Sequence, residues 1–199
     1  MDCSLVFLRR FFLVAVLLVK FVHRTSQDTS GWITIDSGAE TDYTDGHGIE
    51  WKTDDGFSNG GDSQRVKING LNVSEQMGTL RYFPDCIKNC YTLPTPNKVK
   101  HLIRAGFYYG NYDGLAKPPT FDLIFDSNKW VTVTTSMDEP IFEEMLYAVE
   151  YDSTNICLGR TNANETPFIS SLEVMPLSQD MYDGMNRNFA WFLSYRVHF

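Results

Sequence analysis

The sequence lacks the short motifs that mark most enzyme classes. It contains no G-x-S-x-G, no H-E-x-x-H and no phosphate-binding loop, and its four histidines are widely scattered. The acidic pairs Asp54-Asp55 and Glu143-Glu144 are each adjacent in sequence. Adjacent residues of a strand point to opposite faces, so neither pair supplies the two opposed carboxylates of glycoside hydrolysis. We therefore expect no catalytic role.

Positive charge is also scarce. The 199 residues carry 17 basic and 25 acidic side chains, a net charge of −8, and no basic cluster. An acidic chain repels phosphate backbones, which excludes nucleic acid as an expected partner.

Long apolar runs are missing. The longest, Phe11 to Val19, has nine residues, follows Arg9 and Arg10, and ends at Lys20. Such a run fits the core of a signal peptide and falls short of the ~20 residues that span a bilayer. We predict a signal peptide over residues 1–26 and secretion of the remainder; an uncleaved anchor or a buried strand is the alternative. Removing residues 1–26 takes away four basic residues and one acidic residue, leaving a net charge of −11.

Cysteine is rare, with four in the chain, and Cys3 lies in the predicted signal peptide. The odd number that remains favours one disulfide in an oxidising compartment, and Cys90 with Cys157 is the preferred pair. Cys86 would then be free or would pair with another chain. No second Cys/His pair stands at zinc-binding spacing, so no metal or other cofactor is expected.

Two N-glycosylation sequons fit the same compartment. They begin at Asn72 (Asn-Val-Ser) and Asn164 (Asn-Glu-Thr), and both lie in polar, turn-rich stretches where a glycan is tolerated.

Short alternating segments make up most of the chain after residue 30, and no sustained helical stripe occurs there. Their alternation between apolar and polar residues, bounded by Gly, Pro, Asn and Asp, predicts β-strands. Many short strands separated by turns predict an all-β antiparallel sandwich or jelly roll, with long loops over residues 38–78. The stretch Ile141 to Tyr151 fits a strand or a helix, and we favour a strand. The other predicted strands are Trp32–Ser37, Lys100–Tyr109, Phe121–Phe125, Trp130–Thr134, Asn155–Arg160 and Phe168–Met175.

Five blocks, in order along the chain, resemble the malectin-like domains of plant receptor-like kinases. The opening strand is similar, although the family usually has Cys where this chain has Ser37. The blocks begin at Trp32 (WITIDSG), Tyr43 (YTD, with GI and WKTD beyond it), Leu80 (LRYFP, followed by NCYTL), Ile103 (IRA through YGNYDG) and Thr166 (TPFISSLE).

The resemblance implies a malectin-type β-sandwich over residues 27–177, related to carbohydrate-binding modules. In the receptors, two such domains usually stand in tandem, often followed by leucine-rich repeats, a transmembrane helix and a kinase. Residues 178–199 faintly resemble the start of a second malectin-like domain. We therefore expect a truncated receptor ectodomain, either a gene fragment or a short secreted form, membrane-associated where it is part of a full-length receptor.

Carbohydrate recognition is the sharper functional hypothesis. Aromatic rings stack on the C–H faces of sugars, while carboxylates and amides bind the hydroxyls, so a cell-wall glycan or other oligosaccharide is the expected ligand. The resemblance also implies that loop aromatics build the pocket. The candidate residues are Tyr43, Asp45, Trp51, Tyr108, Tyr109, Asn111, Tyr112 and Asp113.

Two other interpretations remain open. Alternate aromatics in a strand usually belong to the core, and the Asn, Asp and Gly residues suit a tight turn without any ligand. The resemblance equally supports a protein-interaction module in plant signalling that recognises a peptide, a protein ligand or a co-receptor, because loop-tip aromatics serve either role.

Overall fold

The computed structural model describes residues 31–68, 73–96, 99–148, 151–185 and 190–192, so the predicted signal peptide lies outside it. Within these residues no helix is long and apolar enough to cross a membrane. A single-turn 3₁₀ helix covers Glu75–Met77. The described strands are β1 (Ile33–Asp36), β2 (Tyr43–Thr44), β3 (Glu50–Thr53), β4 (Asp62–Arg65), β5 (Thr79–Tyr82), β6 (Lys88–Pro94), β7 (Lys100–Phe107), β8 (Thr120–Phe125), β9 (Asn128–Thr134), β10 (Ile141–Ala148), β11 (Ser153–Arg160), β12 (Phe168–Ile169), β13 (Ser171–Pro176) and β14 (Trp191–Phe192).

A seven-stranded sheet forms one layer, in the order β14-β10-β7-β13-β1-β3-β2. Its longest pairings are those of the interior strand β7, with β10 on one side and β13 on the other. Ile103, Ala105 and Phe107 of β7 are fully buried in the main core, as the predicted alternation requires. The opposite face of β7 carries Leu102, which belongs to a separate small cluster, and Arg104.

A four-stranded sheet, in the order β6-β11-β8-β9, forms the second layer. Leu123 of β8 and Leu158 of β11 are fully buried and lie in the same core cluster as Ile103 and Leu172 of the large sheet. Edge-to-face aromatic contacts cross the core, such as Phe107 to Phe121 at 5.5 Å between ring centroids. The predicted all-β sandwich is confirmed.

The predicted strand Phe168–Met175 is divided in two at Ser170. β12 pairs with β5 in a small sheet of order β12-β5-β4, whereas β13 enters the large sheet between β7 and β1. Ser170 turns this corner: its backbone N–H donates to the Gly106 carbonyl at 2.9 Å, and its hydroxyl accepts the Tyr108 N–H at 3.1 Å. Strands that change sheets at a bend are typical of sandwich corners.

Residues 38–78 contain more secondary structure than the predicted long loops. Strands β2, β3 and β4 and the 3₁₀ helix all fall in this range. β3 pairs with β1 in parallel and with β2 antiparallel, while β4 pairs with β5. β4 consists entirely of exposed polar residues, so no hydrophobic alternation marks it in the sequence. Its strand conformation comes from pairing with β5, the next strand along the chain.

The disulfide joins Cys90 to Cys157, the pair expected from the sequence. The two residues face each other directly across β6 and β11. Cys86, in the connection before β6, is free and exposed.

The C-terminal segment extends the large sheet. β14 adds to the edge of β10, and Met185 joins the small apolar cluster with Leu102. The Lys100 ammonium group donates to the carbonyl oxygens of Gln179, Met181 and Tyr182 at 2.8–3.1 Å. The segment after residue 177, predicted to lie beyond the last strand, is therefore packed against the sandwich over its described part.

Candidate binding clefts

The turn after β7 uses its polar groups internally. Asn111, at φ 55°, accepts the Ala116 N–H at 2.8 Å through its side-chain oxygen. Asp113 accepts the Leu115 N–H at 3.0 Å and the hydroxyl of Tyr109. Burial, and then the Asp113 hydrogen bond, raise the pKa of Tyr109 to about 12. The candidate polar residues of this turn thus hold the chain in place.

The aromatic residues of the same turn lie in the core. Tyr108 and Tyr109 are 1% and 0% exposed. Tyr112 is half-buried, and its ring lies 5.2 Å from that of Tyr82 and 5.5 Å from that of Phe168. A ring buried on both faces offers no surface for stacking on a sugar. The structure therefore gives Tyr108 and Tyr109 packing roles and not the expected contact surface.

The other predicted group lies around the β2–β3 hairpin. Asp45 accepts the backbone N–H groups of His47 and Ile49 at 2.8 and 3.0 Å and the indole N–H of Trp51 at 3.0 Å. Trp51 is only 2% exposed. Tyr43 is half-buried, and its hydroxyl donates to Asp36 at 2.7 Å. This group lines two clefts of the described part of the chain, and neither of them includes a residue of the Tyr108–Asp113 turn.

The first cleft has a volume of about 540 Å³ and lies between residues 36–43 and the ends of β4 and β5. Its lining includes Asp36, Tyr43, Val66, Ile68 and Thr79. The Asp36 carboxylate accepts hydrogen bonds from the hydroxyls of Tyr43 and Thr79. Burial nevertheless raises its pKa to about 6, because desolvation disfavours the charged form more than these two bonds favour it.

The second cleft, of about 440 Å³, lies beside the β2–β3 turn and the outer face of the large sheet. Its lining includes Asp45, His47, Trp51, Arg104 and Glu173. Arg104 stands in register with Glu144 on β10 and Glu173 on β13. Its guanidinium lies 2.6 Å from the Glu144 carboxylate and 3.5 Å from that of Glu173. Burial raises the pKa of Glu173, against the opposing effect of Arg104.

The exposed side chain of Glu75 lines both clefts, and the surfaces of the first and second clefts are together called the acidic groove. The two arginines of the groove are already paired, Arg65 with Glu40 at 3.6 Å and Arg104 with two glutamates. A negative potential therefore dominates, which favours a cationic ligand. The carboxylates of the groove are Asp36, Glu40, Asp45, Glu75 and Glu173.

The sequence did not reveal most of this groove. Asp36, Glu75 and Glu173 are far apart in the chain and reach the two clefts only after β1 has paired with β13 and β5 with β4. One signal was available: alternation along β7 places Arg104 on the face opposite Ile103, which predicts an outward-facing charge.

The structure also shows where the predicted glycosylation site Asn164 and the histidine His101 lie. Asn164 is exposed in the connection between β11 and β12, whereas Asn72 lies outside the described residues. His101 is 1% exposed, and its Nδ1 lies 3.0 Å from the Val99 carbonyl oxygen, as expected of a core histidine. Among the described residues no group of three or more His, Cys, Asp or Glu side chains is arranged to hold a metal ion.

Comparison with known proteins matches residues 35–199 to the family model of the malectin-like domain. Receptor-like protein kinase At3g21340 of Arabidopsis thaliana is 34% identical over 199 residues, which cover 97% of this chain and 21% of that protein. The chain thus spans about a fifth of the length of this relative.

Two solved structures illustrate the shared fold. The ANX2 ectodomain from Arabidopsis thaliana has a TM-score of 0.66 at 18% identity, covering 74% of this chain and 42% of that one. The second is the crystal structure of the plant peptide RALF23 in complex with FER and LLG2. One chain of that structure matches this chain with a TM-score of 0.60 at 20% identity, covering 77% of this chain and 43% of that one. At these identities the likeness establishes the fold.

Proposed function

Because the chain belongs to the malectin-like domain family, we propose that it is a non-catalytic extracellular recognition domain of receptor-like-kinase type, with a protein or peptide ligand. Its relatives include a receptor-like protein kinase, and the ANX2 structure of the same fold is that of an ectodomain. A protein of the same fold, FER, has been solved with the peptide RALF23 and with LLG2. A peptide or co-receptor partner for this chain is consistent with both.

The acidic groove is the observation that carries the proposal. It is open, it is lined by carboxylates from β1, the β2–β3 turn, the 3₁₀ helix and β13, and it combines them with Tyr43 and the apolar side chains of Val66 and Ile68. Mixed polar and apolar lining with one dominant charge suits a peptide, which presents side chains of both kinds.

Glycan recognition has less support than the sequence indicated. Three of the expected aromatics, Trp51, Tyr108 and Tyr109, are at most 2% exposed. The other two expected aromatics, Tyr43 and Tyr112, are half-buried. Of these two, Tyr43 lines the groove and Tyr112 does not. One partly covered ring is a poor platform for a sugar.

The test is capture of extracellular plant proteins and peptides by the full chain, produced through the secretory pathway and immobilised. The Glu75→Gln variant removes the charge that both halves of the groove share. Glu139→Gln is the matched control, because Glu139 is exposed and lies outside both clefts. We expect saturable capture that is weakened by Glu75→Gln and unchanged by Glu139→Gln. Equal capture by all three proteins would rule out the groove as the binding site.

A further inference from the structure

We propose that the free edge of β4 accepts an extended basic peptide as an added strand, whose side chains enter the first cleft. The inference rests on the proposed function and names the binding mode and the chemistry of the ligand. In strand addition, backbone hydrogen bonds supply affinity and pockets for alternate side chains supply specificity.

β4 is an edge strand within the described part of the chain. It is last in the order β12-β5-β4, and its pairing with β5 runs without a register shift from Asp62 opposite Tyr82 to Arg65 opposite Thr79. All four of its residues are exposed. Among the described residues no strand is paired with its outer side.

The direction of each backbone group follows from one hydrogen bond. The Val66 N–H donates to the Gly78 carbonyl at 2.9 Å, so Val66 faces β5. Backbone groups alternate along a strand, which turns Gln64 toward β5 and turns Ser63 and Arg65 outward. The outward carbonyl of Arg65 accepts the side-chain amide of Gln64 at 3.3 Å, and the carbonyl of Gly61, which precedes β4, accepts Arg81 of β5 at 3.1 Å. The described contacts give no backbone partner to the Ser63 N–H, the Ser63 carbonyl or the Arg65 N–H.

The two edges of the four-stranded sheet, β9 and β6, carry devices that discourage added strands. β9 presents Lys129, paired with Asp122, and has a register shift in its pairing with β8. The edge of β6 is covered near Tyr91 by a bridge to Ser58. Lysine, proline, bulges and covering segments are how proteins protect free edges. β4 has no lysine, proline or bulge, which singles it out among these edges.

Charge defines the occupant. Arg65 and Val66, at the end of β4, line the first cleft together with Asp36, Glu40 and Glu75. Arg65 is already paired with Glu40. An added strand with Lys or Arg at alternate positions would direct those side chains toward the carboxylates while its backbone pairs with Ser63 and Arg65. An acidic strand would be repelled.

The experiment uses fluorescence anisotropy with the full secreted chain and a capped, labelled hexapeptide, Thr-Lys-Thr-Lys-Thr-Lys. Ser63→Pro removes one outward N–H and leaves the inward bonds of β4 intact, because proline is tolerated on the free side of an edge strand. Ser63→Ala, the matched control, changes the same side chain and keeps that N–H. We expect Ser63→Pro to weaken binding about tenfold, because one backbone hydrogen bond to the peptide is lost and the proline ring obstructs the adjacent backbone group. Ser63→Ala should change the affinity less than about twofold.

A second probe needs no variant. The same hexapeptide with N-methyl groups on alternate residues cannot pair along one of its edges. Of the two possible N-methylated forms, we expect one to lose binding to the unmodified chain and the other to retain it. Thr-Glu-Thr-Glu-Thr-Glu is expected not to bind.

The inference is overturned if Ser63→Pro and Ser63→Ala bind alike, if both N-methylated forms bind, or if the unmodified basic peptide does not bind. In each of these cases the capture experiment still decides the proposed function. Partners that remain sensitive to Glu75→Gln but are captured equally by Ser63→Pro would preserve the groove and exclude the edge. Absence of any partner for the unmodified chain would exclude the function itself.

Discussion

At the scale of single residues, Asp36 couples the first cleft to pH. Its folded-state pKa of about 6 lies above the usual carboxyl value, so the folded chain binds this proton more tightly than the unfolded chain. The resulting stabilisation is complete below about pH 4 and is lost as pH rises through 6. A pKa difference of two units corresponds to at most about 2–3 kcal/mol in the free energy of unfolding.

The Asp36→Asn variant tests this linkage. The amide stays neutral at every pH, so its free energy of unfolding relative to that of the unmodified chain should rise by about 2 kcal/mol between pH 4 and pH 7. Urea unfolding at several pH values measures the difference. Parallel stability profiles for the two proteins would contradict the raised pKa.

A second residue-scale prediction concerns the buried charge of Asp54. Its side chain is 0% exposed and is paired with Arg81, whose Nη2 lies 2.6 Å from the carboxylate, and it also accepts the Tyr91 hydroxyl at 2.9 Å. Arg81→Met leaves this charge without its partner and should cost about 3–5 kcal/mol. Arg65→Met, which breaks an exposed pair, should cost less than about 1 kcal/mol. Similar losses in chemical denaturation would refute the distinction.

At the scale of elements, the disulfide ties the edge strand β6 to β11, 67 residues further along the chain. The double variant Cys90→Ala/Cys157→Ala should lower the free energy of unfolding by about 2–4 kcal/mol, because the unfolded chain regains conformational freedom. Cys86→Ser is the control and should leave stability unchanged, since Cys86 is free and exposed. Thermal unfolding of the three proteins under non-reducing conditions makes the comparison. Equal melting temperatures would exclude a stabilising disulfide.

Which elements the sequence reveals depends on how each is stabilised. β7 and β8 bury alternate apolar side chains, such as Phe107 and Phe121, so their pattern is local and was predicted. β4 is entirely polar, and its strand conformation depends on β5. The change of sheets at Ser170 was not predicted, because Ile169 before it and Leu172 after it are both fully buried in the same core cluster. Sequence pattern alone cannot separate two strands that share one core.

The candidate binding residues show the same dependence on packing and sheet topology. Trp51 and Tyr109 were expected at a ligand because aromatics near turns suit both binding and packing, and the structure assigns them to packing. The groove instead depends on Asp36, Glu75 and Glu173, whose proximity is set by sheet topology. Distances of that kind are not encoded in local spacing.

At the scale of the whole molecule, the proposed secretory route predicts glycosylation. Asn164 is exposed, and the turn that carries it is held by the Glu165 N–H donating to the Asn162 carbonyl at 3.2 Å. Chain recovered from the medium should lose mass on treatment with peptide-N-glycosidase. Asn164→Gln should remove one glycan, whereas Asn162→Gln, outside the sequon, should not. Secreted protein whose mass is unaffected by the enzyme would contradict modification at either sequon.

The central claim, recognition of a protein or peptide, is tested most directly by treating the extracellular fluid before it meets the immobilised chain. One portion is digested with a protease that is then inactivated, and another with a mixture of cell-wall glycan hydrolases. The account predicts that protease abolishes binding and that the hydrolases leave it intact. Binding that survives the protease and disappears after glycan hydrolysis would contradict the account and restore carbohydrate as the ligand.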